Sequence, residues 1–147
     1  MDFSSSTIFT DLSLDTAVPS FPTVNGNWML SDGRRVEIAL IGEVNFELSW
    51  PKFLKLAEIT SQQVEANEEA ILRAAGPFIE QLHQSYFPGR QSRGFSPLLK
   101  ELDLRLVCFY PDGTLHLWLK GSKEFNNLDV DIALGKDFTV EEVRFDG

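Results

Sequence analysis

The sequence predicts an α+β domain: an antiparallel β-sheet in ββ-α-α-ββββ order with helices packed on one of its faces. Three observations point there. Runs such as "RRVEIALI" and "TLHLWLK" alternate apolar with other residues near both ends of the chain, and a period of two marks a half-buried strand. The middle of the chain instead repeats its apolar residues every three or four positions, the period of a helix packed along one side. Asp-Gly dipeptides, which favour tight turns, separate strand-like runs.

Residues 1–22 are rich in Ser, Thr and Asp and carry Pro19 and Pro22, which favour irregular backbone. They are expected to be a mobile segment, with one short strand near Ile8 and Phe9, ahead of a single domain over residues 23–147. The first hairpin follows, "NWML" and "RRVEIALI" flanking Ser31-Asp32-Gly33, with Val36, Ile38 and Leu40 on its buried side. Trp50-Pro51 opens a helical region because a first helical turn tolerates proline, and Phe53, Leu54 and Ala57 share a face. Thr60 with Gln63 has the spacing of a capping box for a second, longer helix, whose stripe runs Val64, Ile71, Ala75, Phe78, Leu82 and Tyr86. Gly76-Pro77 predicts a kink or break in that helix. Ser96-Pro97 starts a short helix, and four strands complete the chain: Asp103–Tyr110, Thr114–Lys120, Leu128–Leu134 and Phe138–Phe145.

The hairpin "YPDGTLHLWLK" is the most informative stretch, because a slip of one residue moves every side chain to the opposite face. A two-residue Asp-Gly turn requires positive φ at Asp112 and puts Pro111, which lacks an N–H, at a paired position. A type I turn centred on Pro111 and Asp112, with left-handed Gly113 in a bulge, avoids both problems. It sets Tyr110 opposite Thr114, Cys108 opposite His116 and Leu106 opposite Trp118, with Val107, Phe109, Leu115, Leu117 and Leu119 on the other face. Both faces are then largely apolar. The second one requires a cover: the N-terminal segment, another strand layer or a partner.

The bulk chemistry removes several functions. Thirteen basic and twenty-two acidic residues give a net charge of −9, which repels phosphate backbones and anionic lipid and suits a basic protein partner. No run approaches the roughly 18 apolar residues of a membrane span, and no basic-then-apolar leader opens the chain. A cytoplasmic location with neither membrane nor nucleic acid as partner is expected. Cys108, the one cysteine, can make neither an intrachain disulfide nor a thiolate zinc cluster. The chain also has no P-loop, dinucleotide-binding loop or nucleophile elbow. No cofactor, metal ligand or catalytic residue is expected.

Candidate chemistry gathers around His116. A histidine beside carboxylates can act as a general base or a ligand, and Asn127, Asp129 and Asp131 alternate along a neighbouring strand. Tyr110, His116, Trp118, Asp129 and Asp131 are therefore the candidate binding residues. The other histidine, His83, falls at the margin of the helical stripe, and Glu65, Glu68 and Glu69 on its outer face. Arg90 and Arg93 could clamp an anion, although a plain exposed loop accounts for them better.

"VNGNWMLSDGRRVEIAL" resembles the opening hairpin, and "FSPLLKELDLRLVCFYPDGTLHLWLKGSKEFNNLDVDIALGKDFTVEEVRFDG" the closing strands, of the bacterial proteins grouped as domain-of-unknown-function family 2262. Related uncharacterised families include suspected immunity proteins encoded beside toxins. The resemblance covers most of residues 23–147 and implies the fold, with no catalytic residue carried over. Where a Gly-His pair would precede the penultimate strand, this chain has Asn126-Asn127-Leu128. The expected function is a non-enzymatic, cytoplasmic protein-binding domain, immunity-like or accessory, whose partner is another protein or a second copy of itself. The alternative is a small-molecule-binding or hydrolytic protein using His116 with Asp129 or Asp131.

Overall fold

The structure is a computed structural model that describes residues 6–43, 49–90 and 94–146. Seven strands pair in chain order in one sheet: β1 (Phe9–Asp15), β2 (Thr23–Met29), β3 (Arg35–Ile41), β4 (Leu102–Phe109), β5 (Leu115–Gly121), β6 (Asp129–Leu134) and β7 (Val140–Asp146). Between β3 and β4 the chain passes through one long helix, α1 (Trp50–Tyr86), and a five-residue helix, α2 (Phe95–Leu99).

The α+β class stands, with three corrections. The first concerns β1: the strand expected near Ile8 and Phe9 is present, but it runs on to Asp15 and pairs with β2 as an edge strand of the same sheet. The second is that β3 and β4 are parallel, because a helical crossover brings the chain back to the end of the sheet it started from. The third is that the two helices expected between Trp50 and Tyr86 are one helix of 37 residues. Neither Gly nor Pro occurs between Ala57 and Gln63, so nothing stops the first helix and no second start forms at Thr60. The cap is Ser49, whose hydroxyl accepts from the Lys52 N–H, with Pro51 in the first turn. The helix also continues through Gly76-Pro77. Pro77 lies on the exposed side while Ala75 and Ile79 are fully buried, so packing on the sheet offsets the lost backbone hydrogen bond.

The buried series on α1 is Phe53, Leu54, Ala57, Ser61, Val64, Ile71, Ala75, Gly76, Ile79 and His83. It departs from the predicted stripe after Ala75, leaving Phe78 and Tyr86 each 51% exposed. This face shares one core with Val36, Ile38 and Leu40 of β3 and Leu115, Leu117 and Leu119 of β5. Each Leu or Ile so buried contributes about 1.5–3 kcal/mol, which makes the helix–sheet interface the main stabilising contact.

Polar ties fix α1 over the sheet. The Ser31 N–H donates to Glu65 at 3.0 Å, and the Arg34 guanidinium forks onto Glu68 at 2.8 and 2.6 Å. Two carboxylates assigned to an outer face thus hold the β2–β3 turn, and only Glu69 is exposed, paired with Arg73. At the far end His83 is 2% exposed, with Nε2 2.9 Å from the Glu124 carbonyl and its ring against Phe87 and Phe125. Hydropathy places it at a margin; a hydrogen bond and aromatic walls let it be buried. Arg90 donates to the carbonyls of Lys123 and Glu124 and to Asn126 Oδ1, and lies over the Phe87 ring. It closes a loop instead of offering an anion site, and Arg93 lies outside the described residues.

Candidate functional site

The β4–β5 turn decides which side chains meet. Tyr110 N–H donates to the Thr114 carbonyl at 3.1 Å, Gly113 N–H to the Tyr110 carbonyl at 3.0 Å, and Gly113 has φ 90°. The Asp112 carboxylate accepts from the Thr114 N–H and hydroxyl. This is the glycine-bulged turn that the sequence predicts, and it pairs Cys108 with His116 and Leu106 with Trp118. The same device closes the first hairpin at Leu30-Ser31-Asp32-Gly33-Arg34.

Following the pairs across the sheet gives two rows on the face opposite α1. One runs Asn25, Ala39, Cys108, His116, Ala133, Glu142, and the other Asn27, Glu37, Leu106, Trp118, Asp131, Arg144. No helix or strand among the described residues lies over these rows. β1, a candidate cover, widens the sheet at its edge instead.

Asp131 organises one half of this face. Its side chain is 1% exposed, with Oδ1 2.7 Å from His116 Nδ1 and Oδ2 3.0 Å from the Arg144 guanidinium. A carboxylate held by an arginine only accepts hydrogen bonds, so His116 Nδ1 carries a proton; in the neutral ring Nε2 is then an acceptor. Tyr110 sets its ring edge-on to His116 with centroids 5.6 Å apart. Burial pushes the Cys108 thiol up to about 11, the Asp131 charge adds to this, and a hydrogen bond from Trp118 only partly opposes it. The thiol therefore stays protonated at neutral pH and is a poor nucleophile. Burial also raises the Tyr110 hydroxyl, aided by Cys108 and Asp131.

The structure thus gathers Tyr110, His116, Trp118 and Asp131 and leaves Asp129 out. Asp129 pairs with Lys120 and Asp146 and lies 3.7 Å from Arg105. Asn127 precedes β6 in a turn, at φ 60°, so the expected row of three oxygens is reduced to two. Nothing local in the sequence assigns Arg144 to Asp131. Its strand parity was legible, but its register against Asp131 depends on the turn before β7, where Phe138 adopts φ 64°, a conformation uncommon outside Gly, Asn and Asp.

The other half of the face is concave. An open groove of about 410 Å³ is lined by Asp11, Asn25, Asn27, Glu37, Ala39 and Leu106, among others. A second, of about 440 Å³, continues it along Arg35, Glu37, Asp103, Arg105 and Lys120. Chemically, the face offers an oriented imidazole, a buried carboxylate already satisfied, and a polar groove beside Leu106 and Trp118. Among the described residues no group of three His, Cys, Asp or Glu side chains converges as a metal site would require, and no helix is long and apolar enough to cross a membrane. No family model, curated protein or solved structure matches the chain.

Proposed function

We propose that the chain is a non-enzymatic protein-binding domain, an immunity-like or accessory factor of the cytoplasm, which docks a basic protein on the sheet face opposite α1. The observation that carries this reading is the pairing of Leu106 with Trp118 at the centre of a face over which no helix or strand of the described residues lies. A sheet face evolved only for water would turn polar there. The net charge of −9 favours a basic occupant, and it opposes a second copy, whose own Glu37 and Glu142 would add to the repulsion.

Affinity capture from the native cell with four baits tests it: the natural chain, Leu106→Glu, Glu37→Lys and, on the exposed side of α1, Phe78→Glu. The reading expects one basic protein to be held by the natural chain and Phe78→Glu and lost by the other two. Capture that ignores both face variants, or that fails only with Phe78→Glu, would overturn it. A dimer in light scattering that Leu106→Glu dissociates would replace the basic partner with a second copy.

The 2.7 Å bond from His116 to Asp131 favours a second reading, a small-molecule-binding or hydrolytic site in which His116 Nε2 takes a proton from bound water. His116→Ala should then abolish ligand binding and turnover. Unchanged turnover in that variant removes this reading.

A further inference from the structure

Resting on the docking reading, we infer that the groove beside β1 receives one cationic side chain of the partner, a lysine or arginine, next to an apolar contact at Leu106 and Trp118. Glu37 is exposed and makes no ion pair among the described residues, while its strand neighbours are Asn27 and Leu106. It is the available counter-ion. Asn27 uses Nδ2 to bind Asp11 at 3.1 Å, which leaves its Oδ1 to accept from an incoming N–H, and Asn25 supplies a second amide. Asp11 adds negative charge, only loosely balanced by Arg35 at 3.4 Å with both side chains more than half exposed. Ala39 and Leu106 give the groove apolar surface on which the methylene stem of Lys or Arg can lie while its charged end reaches Glu37. Glu37 and Trp118 are two strands apart, about 10 Å at the usual strand spacing, so one partner surface can present the cation and the apolar group together.

The test is a titration of the isotope-labelled full chain, followed by amide chemical shifts at low salt, with acetyl-Gly-Arg-Gly-amide. The same peptide carrying citrulline in place of arginine is the uncharged control. Saturable shifts are expected at residues 25–27, 37–39 and 106. The citrulline peptide and the Glu37→Gln chain should each bind about three- to fivefold more weakly, the size of one partly solvated charge pair. Equal binding of the citrulline peptide, no effect of Glu37→Gln, or shifts confined to the helix layer would overturn the inference. If Leu106→Glu still abolishes partner capture in that event, the docking reading survives and the cationic seat alone falls.

Discussion

Enlarging Ala133 separates an open face from a covered one. Ala133 lies between His116 and Glu142 in its row and is half-buried, whereas Ala75 faces the sheet from α1 and is 0% exposed. Ala75→Leu must force three extra heavy atoms into a filled interface, which costs about 1–3 kcal/mol. In a chain of 147 residues that lowers Tm by about 2–12 °C. Ala133→Leu meets no second layer among the described residues, so its side chain can spread over its neighbours, and the change should stay within about 0.5 kcal/mol, or roughly 2 °C. Thermal and urea unfolding followed by circular dichroism measure both. If Ala133→Leu is as damaging as Ala75→Leu, something covers the face and it is not a free docking surface.

Two further outcomes follow from single residues. The Cys108 thiol is pushed up to about 11, so the folded state favours its protonated form. That contribution, on the order of 2 kcal/mol, is complete below about pH 9 and disappears as pH rises towards 11. Urea midpoints of the natural chain should therefore fall more steeply over this window than those of Cys108→Ala, and parallel slopes would refute the assignment. Pro77 is exposed within α1, so Pro77→Ala restores a helical N–H and should stabilise the chain by about 1–3 kcal/mol in urea unfolding; destabilisation would mean that the fold requires a local distortion at this proline.

What the sequence made legible was local. Pro111-Asp112-Gly113 admits one good turn, and that turn alone placed Cys108 opposite His116 and Trp118 beside Leu106. The four closing strands were legible for the same reason, alternation bounded by turn residues. What stayed hidden depends on distant partners. His83 is buried because Glu124, Phe87 and Phe125 receive it, and no hydropathy value records a carbonyl 41 residues away in sequence. Glu65 and Glu68 read as solvated helix charges until the β2–β3 turn meets them. The continuous α1 was divided by weak local signals, Thr60 and Gly76-Pro77, which sheet packing overrides. In the site, the sequence brings His116 near both Asp129 and Asp131, and only the diagonal offset between β5 and β6 selects Asp131.

Hydroxyl-radical footprinting of the chain with its captured partner tests the central claim most directly, because it reads which side chains lose water. The account predicts that Leu106, Tyr110, His116 and Trp118 become protected in the complex while Phe78 and Tyr86, on the helix layer, react as in the free chain. Protection of Phe78 and Tyr86 with the sheet face still reactive would contradict it.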